Sequence, residues 1–90
     1  MTTYSINKDV SFVSDHERLV VLNFETGEYY TVGGICKDII EIIYKNIITR
    51  EELVSILKKK YNEEEYDIEQ SLDAALNELT QCFFINVNEN

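Results

Sequence analysis

Few side chains in this 90-residue chain have the type and spacing for bond-making chemistry. His16 is the one histidine, held between Asp15 and Glu17. A metal ion there would need further nitrogen, sulfur or carboxylate ligands at ligand spacing, and none follow. Cys36 and Cys82 fall inside apolar helical patterns, where a free thiol packs as a small hydrophobe, and two cysteines make neither a disulfide framework nor a metal cluster. Gly33-Gly34 lacks the lysine and third glycine of a phosphate loop. No Cys–His or Ser–His arrangement is visible, and no carboxylate pair stands out from the surface charge. The residues therefore predict no enzyme, no cofactor and no metal site. What remains is main-chain chemistry: the hydrogen-bonding groups of Glu28, Tyr29, Tyr30, Thr31 and Val32, read as a strand at the edge of a sheet.

The elements around that strand follow from the pattern. Val10-Ser11-Phe12-Val13 is a short β-prone run, with Val10 and Phe12 on one face. Arg18 to Phe24 is nearly continuous in apolar and β-branched residues, as a central strand covered on both faces would be. Glu25-Thr26-Gly27 is the turn, with Gly27 supplying the positive φ of a three-residue hairpin loop. The chain then returns antiparallel from Glu28 to Val32, with Tyr30 and Val32 on one face and Tyr29 and Thr31 on the other. No proline or lysine guards this strand, so it lacks the usual protections of a sheet edge. An N-terminal strand or a second subunit covering it is the alternative. Residues 1 to 9 read as a loose start.

Three helices complete the chain. Ile35, Ile39, Ile42 and Ile43, broadened by Cys36, Ile40 and Ile47, mark a wide apolar stripe. Lys37, Glu41 and Lys45 stand four apart on its wet side, where opposite charges pair. Thr49 with Glu52 makes a capping box, flanked by Ile48 and Leu53 as a hydrophobic staple. Glu51 and Glu52 sit at the positive end of this second helix and Lys58-Lys59-Lys60 at the negative end, which accounts for the basic cluster through the macrodipole. Its inward residues are expected to be Leu53, Ile56, Leu57 and Tyr61. Asn62 to Glu65 reads as a charged connector. Asp67 with Gln70 opens a third helix, whose stripe is Ile68, Leu72, Ala75, Leu76, Leu79 and Phe83. Phe83-Phe84-Ile85 is an apolar plug before a polar tail. Three short strands followed by three helices predict an α+β, winged helix-turn-helix-like domain with a three-stranded antiparallel sheet.

Charge narrows the partners. The net charge is −9, whereas nucleic acid is bound by a cationic face that releases counterions. No nucleic acid or membrane partner is expected; the charge serves solubility first, and a basic partner is the alternative reading. The start carries no signal peptide and no apolar run is long enough to span a bilayer. The expected setting is cytoplasmic.

The run from Val20 to Val32, Val-Val-Leu-Asn-Phe-Glu-Thr-Gly-Glu-Tyr-Tyr-Thr-Val, resembles the hairpin signature of the PqqD-like family, the RiPP recognition elements. The Ile-rich helix, the helix opening at Thr49 to Glu52, and Leu72, Leu76 and Leu79 in the last helix extend the resemblance over residues 10 to 85. Ser71 stands where the family often has Asp. Phe83-Phe84-Ile85 replaces a Gly-Leu-Leu exit, and Val32-Gly33 replaces Leu-Asn. The resemblance implies a non-catalytic adaptor that takes a precursor's leader peptide as an added antiparallel strand on residues 28–32, flanked by the last helix. It delivers that peptide to a processing enzyme, a radical-SAM protein or, in lasso-peptide pathways, a papain-like leader peptidase. A free-standing chain of this length is most similar to the lasso type. Leu72, Ala75, Leu76 and Leu79 would then wall the peptide groove, or simply face the core. Glu69, Asp73 and Glu78 would attract a basic leader, or simply form a solvated face.

Two other functions compete. A winged-helix DNA-binding protein would read DNA with one of its last two helices, but Asp67 to Asn77 holds no Lys or Arg for phosphate contacts. An acyl-carrier-type protein would use Ser71, within Gln70-Ser71-Leu72-Asp73, against the β-rich first third.

Overall fold

The computed structural model describes residues 1–15, 17–62 and 65–89, with only the backbone of Glu65 and Tyr66. The turn expected around His16 and the Glu63-Glu64 part of the charged connector lie outside them. The elements run β1 (Thr2–Ile6), β2 (Val10–Asp15), β3 (Arg18–Asn23), β4 (Tyr29–Val32), α1 (Gly34–Lys45), β5 (Ile48–Thr49), α2 (Arg50–Tyr61), α3 (Glu65–Gln81) and β6 (Ile85–Glu89). The fold is α+β, with a three-stranded antiparallel sheet and three helices as expected.

That sheet has the order β2-β3-β4, a meander in which Val21 faces Tyr30 and Leu19 faces Val32. β3 is central, yet only its Leu19–Val21–Asn23 face is buried; Val20 and Leu22 are half-covered. The coverage expected on both faces is therefore found on one. The strand also stops at Asn23, one residue early. The Asn23 Oδ1 accepts the backbone N–H of Glu25 at 2.9 Å and turns the chain. Phe24 is left in the loop, and Gly27, at φ 77°, closes it by donating its N–H to the Asn23 carbonyl.

A second sheet, β5-β1-β6, was not expected. Residues 2–6, read as a loose start, form its central strand, and the polar tail forms β6, with Thr3 opposite both Thr49 and Asn88. Tyr4 carries this strand into the core.

The helices pack as their stripes dictate, with local corrections. In α1 the buried set is Ile39, Ile40 and Ile43 together with Asp38, whose carboxylate accepts from Lys60 Nζ at 2.9 Å and from the Tyr61 hydroxyl. Lys37 pairs with Glu41 at 2.5 Å. Ile47 lies beyond the helix and is exposed. In α2 the Thr49–Glu52 capping box forms, but Val54 is buried with Leu53 and Leu57 while Ile56 and Tyr61 are exposed. The core side of α2 is thus rotated toward Val54, and Ile56 faces the cleft toward Asp38 and Ile42 on α1. α3 starts at Glu65, so Asp67 lies inside its first turn and is not the cap.

The end of α3 holds the largest local departure. Phe84 donates its N–H to Leu79 O and Phe83 to Thr80 O, both at 3.0 Å. These two bonds are a Schellman closure, whose left-handed position is usually glycine. Here Phe83 occupies it, at φ 62°, and a side chain in that conformation costs about 1–2 kcal/mol. The reversal sends Phe83 outward, 70% exposed, and turns Phe84 into the core in its place. Among the described residues no helix is long and apolar enough to cross a membrane.

Candidate functional site

β4 pairs with β3 on one side only. The bond from Asn23 N–H to Glu28 O, at 2.9 Å, fixes which groups point where. In an antiparallel ladder N–H and C=O of one residue point the same way and alternate along the strand. Glu28, Tyr30 and Val32 therefore turn inward to β3. Tyr29 and Thr31 turn both groups outward, to an edge that no strand among the described residues occupies. β2 is the other edge of the sheet, and by the same alternation Val10, Phe12 and Ser14 point outward there.

What distinguishes the β4 edge is its flank. Tyr30 and Val32 lie on the core side of the sheet, and the Tyr30 ring meets Phe84 at 5.4 Å between centroids. The Tyr30 hydroxyl donates to Glu28 Oε2 at 2.7 Å, and this bond to a carboxylate pushes the phenol pKa up. Beyond Val32 the chain enters α1 through Gly33 and Gly34, and Ile35 and Cys36 are half-buried there. Burial raises the Cys36 thiol pKa, with Glu78 of α3 and Cys82 just beyond that helix close enough to add to the effect. The exposed flank of α3 with Glu78, and Cys82 just past the helix end, thus lies toward Cys36 beside β4. At the far end, an apolar depression of 220 Å³ is lined by Gly34, Ile35, Tyr61, Ile68 and Ser71. β4 packs chiefly on β3, and α3 chiefly on α1, α2 and β6.

The residues picked out from sequence divide into two groups. Glu28, Tyr29, Tyr30, Thr31 and Val32 form the open edge, with Tyr29 72% exposed. Leu72, Ala75, Leu76 and Leu79 are all buried. They are the core stripe that holds α3 beside the strand and do not line an open wall. The exposed residues on this side are Ser71, which lines the 220 Å³ depression, and Glu78 and Cys82, which lie near Cys36. Glu69 and Asp73 point to the opposite flank, where Arg50 binds Asp73 through two bonds of 2.9 Å and Glu69 through one of 3.1 Å. Of the three acids expected to attract a ligand, only Glu78 faces the groove. Ile35, Cys36 and Tyr61 were read as helix-face residues. That Ile35 and Tyr61 line a depression depends on how three helices converge.

The arrangement can offer a strand's worth of main-chain donors and acceptors beside an apolar, mildly acidic groove. A family model for "Coenzyme PQQ synthesis protein D (PqqD)" matches residues 18–85. The fold is similar to a solved structure of "TbiB1 in Complex with the TbiA(beta) Leader Peptide", with a TM-score of 0.82 and 20% identity over 91% of this chain and 94% of that chain. At that identity the likeness speaks for the fold. No curated protein sequence matches the chain.

Proposed function

The chain belongs to the PqqD family, and from that membership we propose that it is a non-catalytic adaptor for the leader segment of a ribosomally made precursor peptide. The leader adds to β4 as an antiparallel strand and is handed to a processing enzyme, a papain-like leader peptidase of a lasso-peptide pathway or a radical-SAM partner. The observation that carries this reading is the outward turn of Tyr29 and Thr31 on an edge flanked by a groove. The leader bound to the structurally similar TbiB1 supports it.

The energetics fit such a role. Tyr29 and Thr31 offer four outward groups, and each hydrogen bond contributes about 0.5–1.5 kcal/mol net. Main-chain pairing alone is therefore weak and indifferent to sequence, while alternate side chains in the groove supply selectivity. Every second leader residue would face Tyr30, Val32, Ile35 and Cys36, and its N-terminal part would reach the depression at Tyr61 and Ile68. Burying two or three such side chains at about 1.5–3 kcal/mol each brings the total to the micromolar range, near −8 kcal/mol, after the cost of ordering a flexible peptide. Glu28 and Glu78 favour a leader with cationic residues. Free thiols at Cys36 and Cys82 suit a reducing, cytoplasmic setting.

The test compares proline at the two sheet edges. Thr31→Pro removes an outward N–H on β4 without breaking a bond to β3. Ser14→Pro does the same on β2. Titration with the leader peptide of the precursor encoded beside this chain should show roughly tenfold weaker binding to Thr31→Pro and unchanged binding to Ser14→Pro. Equal affinity of the folded Thr31→Pro variant and the parent would rule out strand addition at β4.

A further inference from the structure

Phe83 is a misfit in the fold it belongs to. Its backbone sits in the left-handed conformation, at φ 62°, where glycine alone is free of strain. The bonds that close α3 there run through the backbone and need no side chain. The ring gains no burial in return, being 70% exposed. Asn7 clamps this geometry by donating its Nδ2 to the Phe83 carbonyl at 2.7 Å and its backbone N–H to the Phe84 carbonyl at 3.0 Å. Folding therefore accounts for the position and not for the aromatic side chain. Strain of this kind is retained where a side chain serves contact with something else.

Its place in the molecule says what that is. The Tyr30–Phe84 ring contact sets the end of α3 against the first half of β4. Phe83, next to Phe84, lines a depression of 320 Å³ with Asn7, Asn23, Glu25 and Thr26, at the hairpin loop through which the chain enters β4. A strand adding antiparallel to β4 ends, on its C-terminal side, at this loop. We infer that the depression at Phe83 is a second subsite for the same precursor, gripping the segment just C-terminal to the added strand, between the recognition strand and the cleavage junction. The ring offers a face for an apolar or aromatic side chain, and Glu25 on the rim favours a cationic neighbour. This subsite rests on the strand-addition reading. It gives the adaptor a hold on the stretch that the processing enzyme must receive in extended form.

The experiment uses the full chain and two fluorescently labelled synthetic peptides. Both derive from the leader of the neighbouring precursor; one runs to the cleavage junction and one is cut back to the last residue protected from hydrogen exchange by strand pairing. With the parent protein the longer peptide should bind about five- to tenfold tighter. Phe83→Gly should lose that margin and bind both peptides with the parent's short-peptide affinity. The same variant relieves the left-handed strain, so its unfolding midpoint should rise by about 4 °C or more. Weaker binding by a more stable protein separates contact from folding. A Phe83→Gly variant that keeps the parent's preference for the longer peptide, or loses equally on both, would overturn the subsite. Failure of the parent to bind either peptide would instead overturn strand addition itself.

Discussion

The guanidinium of Arg50 closes on Asp73 from α2 to α3 through two parallel bonds of 2.9 Å. This pair, with Glu69 as third member, joins the two helices on the side away from the groove. The hydrogen bonds from Arg50 hold the Asp73 carboxyl below its ordinary pKa. Both partners are partly exposed, so solvent screening limits the pair to about 1 kcal/mol. Arg50→Gln should therefore cost about that much stability at pH 7, read from urea denaturation. Because the folded pKa of Asp73 is depressed, its contribution is present above the unfolded value near 4 and is lost as pH falls through the lower folded value. The gap between parent and variant should begin to close as pH falls below about 4 and vanish below the depressed folded pKa. Leader affinity should not change at pH 7, since none of the three side chains faces β4.

Thr49 caps α2 by accepting the N–H of Glu52 at 3.2 Å, while Glu52 Oε1 accepts the Thr49 N–H in return. Thr49→Ala removes the acceptor of an otherwise unpaired helix donor and should cost about 1 kcal/mol. In a domain of this size that lowers the thermal midpoint by about 4–8 °C. A midpoint shift under 1 °C would mean that the box contributes nothing in solution.

Leu76 and Glu78 lie two residues apart on α3 and should behave oppositely. Leu76→Ala opens a cavity in the core and should cost about 2–5 kcal/mol, with any loss of leader binding tracking the folded fraction. Glu78→Lys changes only an exposed charge at the groove mouth. It should leave the denaturation curve within about 0.5 kcal/mol of the parent. It should weaken a cationic leader at low salt, with the difference fading as salt screens the charge.

The two thiols give a chemical readout of the groove. Cys82 is exposed, whereas Cys36 is half-buried and its thiol pKa is raised by burial. Since the thiolate is the nucleophile, iodoacetamide at pH 8 should label Cys82 well before Cys36, as followed by peptide mass. Bound leader should slow Cys36 further. Equal rates in the free protein would contradict the burial of Cys36.

Much of this molecule could be read from local signals. The hairpin at Gly27, the Thr49 box and the stripe from Ile68 to Leu79 are each set by residues within one or two turns of each other, and each forms. β1 and β6 could not be read that way. Thr2–Ile6 and Ile85–Glu89 are short and polar, with one clear core side chain apiece in Tyr4 and Ile85. They become strands by pairing with each other across the whole chain. In the candidate site the exposed strand could be read from sequence, whereas the orientation of the flanking helix could not. Residues 28–32 alternate in sequence as they do in space, but whether Leu76 or Glu78 faces the groove depends on the rotation of α3 against α1. Phe83 illustrates the same limit. Its spacing extends the α3 stripe, and only the reversal at the end of the helix turns it outward.

The pairing of β1 with β6 also bears on the order in which the molecule assembles. The β2-β3-β4 meander spans residues 10 to 32 and closes through short loops, whereas β1 meets β6 only after some eighty residues have been gathered in. Loop-closure entropy opposes that last contact until the rest is in place. Substitutions in β1 or β6 should accordingly quicken unfolding and leave the refolding rate alone, while those in β3 should slow refolding. The open edge of β4 would then exist before the fold is sealed, and for that interval nascent chains are most exposed to pairing with one another.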